Sequence, residues 1–187
     1  MAQAKSPRRL DVAVLAREGG HLAGDEPLTG FPRLAEVAGG AAPAAGAASM
    51  PATGVRWAAQ AALRRGPTGL APWLDVQAEA TVRLTCQRCL GPLDLPVQIQ
   101  RGIRFVPDEA QAEAEDAQSD EDVLSLEQRL NLIELIEDEL LLALPFAPRH
   151  DVCPDGRVAS ESQTQPVAEP TAARRQAFAD LDKLKRL

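Results

Sequence analysis

The chain has 187 residues, a formal net charge of −7, only 3% aromatic residues and no tyrosine. That length suits one compact domain with irregular segments, and its core must be built from Leu, Val, Ile and Ala. No apolar run reaches the roughly 18 residues of a membrane span, and the opening residues lack the long apolar stretch of a secretory signal, so a soluble cytoplasmic protein is expected.

The charge is unevenly spread. Residues 1–107 carry 12 Lys/Arg against 8 Asp/Glu, residues 108–122 carry 8 acids and no base, and residues 123–187 carry 8 bases against 11 acids. One short run therefore supplies most of the acidity. The overall balance weighs only weakly against nucleic acid, because partner choice follows local patches.

Arg8 to Gly19 has a short Val/Leu-rich centre and is expected to form a strand. A helical turn is expected near Leu34. Gly39 to Gly54 is rich in Gly, Ala and Pro and reads as a flexible loop. Val55, Trp57, Ala59, Ala61 and Leu63 then fall at alternate positions, and Arg64 to Leu70 looks like a turn. Leu74, Val76, Ala78, Ala80, Val82 and Leu84 alternate with polar residues, the pattern of a half-buried strand. Val97, Ile99, Ile103 and Phe105 continue the apolar series, with Gly102 as a candidate bulge. These segments predict an antiparallel meander of three strands.

Asp108 to Asp122 lacks core-forming periodicity and is expected to be an exposed acidic loop. A short strand near Leu124 precedes a strong helix. Asn131 can cap it, with Glu134 as reciprocal partner, and Pro145 ends it. Leu132, Ile133, Leu135, Ile136, Leu140, Leu142 and Leu144 would pack across the meander, leaving Glu134, Glu137, Asp138 and Glu139 outside. The acids at 137–139 read as a solvated face, as caps, or as partners for arginines on the sheet. Residues 154–173 are a polar, Pro/Ser/Gln-rich linker. Residues 174–187 return to helical spacing, with Phe178, Leu181, Leu184 and Leu187 every third residue. The expected fold is α+β: an antiparallel β meander packed by one main helix over residues 1–153, with long flexible loops and a short C-terminal helix.

Cys86 and Cys89 stand three apart in the connection between two strands, and His150 and Cys153 stand three apart after the helix. Together they make a Cys3His set suited to one tetrahedral zinc ion. A redox or free-thiol role and unliganded residues are the alternatives. A thioredoxin-type site fits the context poorly, since Pro92 and a further strand pattern follow the C-x-x-C where that motif opens a helix. With all four positions filled by protein, a zinc site here would be structural. There is no phosphate-binding glycine loop, no dinucleotide fingerprint and no nucleophile elbow, so no enzyme is expected. His21 is assigned no role. Seven arginines gather between residues 55 and 107 against three acids. On one sheet face they would suit a phosphate backbone, although arginines are also ordinary solvent-facing residues.

"LTCQRCLGPL" followed by "IEDELLLALPFAPRHDVC", with the acidic stretch between them and the terminal "FADLDKLKRL", resembles the YceD family of large ribosomal RNA subunit accumulation proteins. The resemblance covers Val55 to His150 and the last ten residues, and the first fifty more loosely. It implies a non-enzymatic role in synthesis, processing or stability of 23S ribosomal RNA, with no small-molecule substrate and no membrane. The partner would be large-subunit ribosomal RNA or a pre-ribosomal particle. In that setting Arg83, Arg88, Arg101 and Arg104 would meet phosphates. Asp116, Asp120, Glu121 and Asp122 would engage a basic ribosomal protein. A zinc-stabilised protein–protein adaptor and a C-x-x-C thiol redox protein are the alternatives.

Overall fold

The computed structural model describes residues 6–39, 54–154 and 156. The chain divides into two compact units, Met1–His150 and Asp151–Leu187. Most of the expected loop at 39–54, nearly all of the linker at 154–173 and the expected helix at 174–187 lie outside the described residues.

Five strands form one sheet in sequence order. They are β1 (His21–Glu26), β2 (Val55–Gly66), β3 (Gly69–Thr85), β4 (Pro92–Val106) and β5 (Asp122–Ser125). The first four pair antiparallel and β5 joins β4 in parallel. The α+β class and the expected meander are therefore present, with β1 added at one edge and β5 at the other. The β3–β4 register runs unbroken from Trp73↔Arg104 to Thr85↔Pro92. Gly102 is thus an in-register residue opposite Asp75 and not a bulge.

Alternation divides the sheet into two faces. Val55, Trp57, Ala59, Ala61, Leu74, Val76, Val82, Val97 and Ile103 are buried in the main core. Three helices pack on this inner face: α1 (Val12–Arg17), α2 (Pro32–Gly39) and α4 (Leu132–Leu142). Phe31, Leu34, Leu132, Ile136 and Leu140 seal the layer. Gly24 is required by this packing, because a Cβ there would lie 2.6 Å from the Trp57 ring.

The strand expected across Arg8–Gly19 is α1. Asp11 caps it, its Oδ1 accepting from Val14 N at 3.0 Å. Val12, Leu15 and Ala16 are buried at helical spacing. Gly19 at φ 59° and the Gly20 N to Leu15 O bond of 2.9 Å end the helix.

The run expected to be an acidic loop contains a fourth helix, α3 (Glu109–Asp116). Asp108 caps it, accepting from Gln111 N at 2.8 Å. Ala112 packs with Val106 and Val123 in a small separate cluster. By alternation Val106 belongs to the outer face, opposite the other helices.

In α4 the reciprocal cap is as expected. Asn131 Oδ1 accepts from Glu134 N at 3.3 Å, and Asn131 Nδ2 donates to Glu134 Oε2 at 3.1 Å. The ends and faces differ from expectation. Leu142 is 75% exposed, whereas Glu137 is 4% exposed. Glu137 is buried because α2 lies over it: its Oε1 accepts from Arg33 N at 2.7 Å and Leu34 N at 3.1 Å.

Candidate functional site

The end of β3 and the start of β4 hold a tight turn. Cys86 N donates to Gly91 O at 2.8 Å, and Leu90 N to Cys86 O at 2.9 Å. Arg88 N approaches Cys86 Sγ at 3.5 Å. The closure forces Leu90 to φ 60°, an unfavourable conformation for a side chain with a Cβ. The segment following α4 returns to this turn, with Gln87 N donating to Pro148 O at 2.8 Å. That bond brings His150 beside the turn, its Nδ1 3.5 Å from Cys89 Sγ.

The other ring nitrogen, His150 Nε2, lies 3.0 Å from Pro92 O. A carbonyl can only accept, so Nε2 donates to it, which leaves Nδ1 as the ring atom that faces the sulfur. A backbone carbonyl holding the distal nitrogen is the usual support for a metal-ligating imidazole. Cys153 follows three residues later, where Gly156 N donates to Cys153 O at 2.9 Å. The ligand atoms of Cys86, Cys89, His150 and Cys153 all lie within 4.8 Å of one another, so the group could hold a metal ion. Ligands at about 2.0–2.3 Å from a tetrahedral ion leave their own atoms under about 4 Å apart, so a modest contraction would complete a shell.

Electrostatics favours thiolate in the turn. Burial by itself pushes the Cys86 thiol up, but it is outweighed by the backbone N–H groups of Cys89, Arg88 and His150 and by the Cys89 side chain. The result is a pKa lowered to about 5. N–H groups converging on one sulfur stabilise its negative form, the form that binds metal.

The four arginines singled out in the sequence do not share one surface. Arg83 lies on the outer sheet face and grips Asp94 with two bonds, 2.7 and 2.9 Å. Arg88 is half-buried in the cysteine turn. Arg101 donates from Nε to Glu139 of α4 at 2.6 Å. Arg104 is 1% exposed, with its guanidinium on Glu115 and 3.6 Å from Glu121.

The acidic residues also differ among themselves. Asp116 Oδ1 accepts from Val123 N at 3.1 Å, Glu121 turns toward Arg104, and Asp122 opens β5. Asp120 is exposed. Of the four acids in α4, Glu134 completes the helix's own cap, Glu137 caps α2, Asp138 pairs with Arg33 at 2.5 Å, and Glu139 pairs with Arg101. The backbone supports of the cysteine corner, Pro92 O and Pro148 O, carried no sequence signal, since any residue supplies a carbonyl. No helix among the described residues is long and apolar enough to cross a membrane.

No solved structure gives a significant match to the chain. A family model described as large ribosomal RNA subunit accumulation protein YceD matches residues 74–185. The match runs through β3, the cysteine turn, β4, α3, β5 and α4, and includes Cys86, Cys89, His150 and Cys153. It covers more than half of the chain, which therefore belongs to the YceD family.

Proposed function

We propose that this protein is a non-enzymatic accessory factor in the synthesis, processing or stability of 23S ribosomal RNA, acting in the cytoplasm. The observation that carries the reading is the family match across residues 74–185, which contains the whole cysteine–histidine corner. Within it, one Zn2+ held by Cys86, Cys89, His150 and Cys153 acts as a structural bolt. Three sulfurs and one imidazole are a donor set suited to zinc, and four protein ligands leave no open position for hydrolysis. The bolt ties the β3–β4 turn to the chain that leaves α4.

A non-enzymatic role agrees with how the acids of α4 are used. Glu137, Asp138 and Glu139 each hold a backbone amide or an arginine of the same chain. The partner in this reading is the RNA or a pre-ribosomal particle, met through arginines of the sheet and its turn, with Arg83 and Arg88 nearest the bolt. Binding of the full chain to a 23S transcript is expected to exceed binding to a 16S transcript, and to weaken steeply with salt. Equal affinity for both, or none for either at low salt, would remove direct RNA contact from the reading.

A further inference from the structure

Trp73 of β3 and Arg104 of β4 are register partners. Arg104 is 1% exposed, yet its Nε has no hydrogen-bond partner; the carboxylate of Glu121 stays 3.6 Å away. Trp73 Nε1 is also buried without a partner. Buried donors left unused are uncommon and ask for an acceptor. The Arg104 stem runs past Gly66, where a Cβ would stand 3.4 Å from Arg104 Cδ. Arg64 completes the group, its guanidinium 5.6 Å from the Trp73 ring centroid and paired with both carboxylate oxygens of Asp75 at the exposed side. Two arginines and a tryptophan thus gather at one end of the outer face.

What covers Arg104 is lightly held. Glu109, Glu113, Glu115 and Asp116 make half of α3 acidic, and Ala112 is its one buried residue. Besides that alanine, α3 is anchored by Glu115 on Arg104 and by Asp116 on Val123 N. An element with so little buried apolar area opens more readily than the sheet beneath it. A carboxylate presents to a guanidinium the paired acceptor oxygens and the single negative charge that a phosphodiester would present there.

We propose that α3 is an acidic lid over a phosphate subsite formed by Arg104, Arg64 and Trp73. Glu115 and Glu121 hold the place on Arg104 that an RNA phosphate takes when the lid lifts. The proposal rests on the reading of the protein as an RNA-contacting factor, and it names where and how that contact is regulated.

The test uses the full chain and an in vitro 23S transcript, with affinity measured across salt. Glu115→Gln with Glu121→Gln is expected to tighten binding about tenfold and to steepen the salt dependence by about 0.7–0.9, the equivalent of one added phosphate contact. Glu109→Gln with Glu113→Gln removes the same charge from exposed positions and is expected to leave that slope unchanged. Hydrogen exchange on the wild type supplies a readout free of mutation: amides of α3 are expected to exchange faster in the complex while those of β3 do not. If the wild type binds, but the two double variants behave alike and α3 exchange is unchanged or slower in the complex, the lid is wrong and RNA contact survives. If no form binds even at low salt, the RNA reading falls and the lid with it.

Discussion

Glu137, in the middle of α4, accepts hydrogen bonds from the backbone amides of Arg33 and Leu34 at the start of α2, at 2.7 and 3.1 Å. The first amides of a helix have no partner within it, and a carboxylate there answers both the missing acceptor and the helix dipole. Arg33 closes over the same group, its Nε 3.1 Å from Glu137 Oε2. One side chain therefore caps a helix more than a hundred residues away. Glu137→Ala would leave two amides unpaired, that of Leu34 buried and that of Arg33 half-buried, and is expected to destabilise the fold by about 3 kcal/mol. Glu137→Gln keeps one acceptor and is expected to lose about half of that. Urea unfolding monitored by circular dichroism reads both.

The cysteine corner makes a prediction about composition. Purified protein is expected to contain one zinc per chain by mass spectrometry of metals. Cys89→Ser is expected to lower that content at least tenfold and to lower the melting temperature, because metal binding is folding free energy at such a site. A strong chelator added to the wild type is expected to reproduce the loss of stability.

Leu90 gives a local test of the same corner. It sits at φ 60° with its side chain 74% exposed, so it carries backbone strain without burial in return. Leu90→Gly is expected to be neutral or stabilising by up to about 1 kcal/mol, since glycine adopts this conformation freely. Leu90→Val, β-branched, is expected to destabilise. Thermal melts of the metal-loaded protein distinguish the two directions.

The acid limb of stability has two identifiable contributors. Hydrogen bonds from Gln111 and Arg104 hold the Glu115 carboxyl below its ordinary value of 4.5, and Arg83 does the same for Asp94 below 3.8. A carboxyl lowered by folding adds stability that is present above its unfolded value and lost as pH falls through the folded one. Both contributions should therefore be intact above about pH 5 and be lost progressively as pH falls below the ordinary carboxyl values of 4.5 and 3.8. Asp94→Asn with Glu115→Gln is expected to flatten the fall in melting temperature across that window. Above pH 6 the double variant is expected to melt lower than the wild type.

Several features were legible in the sequence because their signals are local. The meander follows from strict alternation over β2 and β3, and the α4 cap from Asn131 and Glu134 three residues apart. The cysteine set was visible as two pairs with the same spacing. Other features were hidden by the physics that forms them. The β-branched Val12 and Val14 suggested a strand, while the Asp11 cap and the burial of Val12, Leu15 and Ala16 make a helix. Strand β1, with Gly24, Asp25 and Glu26, has little strand propensity and exists because β2 offers an edge. Helix α3 leaves little pattern in the sequence because a single alanine is its one buried residue. Glu137 looked solvated because its partners are backbone amides, which leave no pattern in a sequence.

On the function proposed above, this chain works on the large-subunit RNA. Ultraviolet crosslinking in living cells, followed by purification under denaturing conditions and sequencing of the attached RNA, tests it most directly. Crosslinked fragments are expected to be enriched in 23S over 16S sequence and to cluster in a few regions. Fragments recovered in proportion to the abundance of each RNA, or no RNA above an uncrosslinked control, would contradict direct action on that RNA.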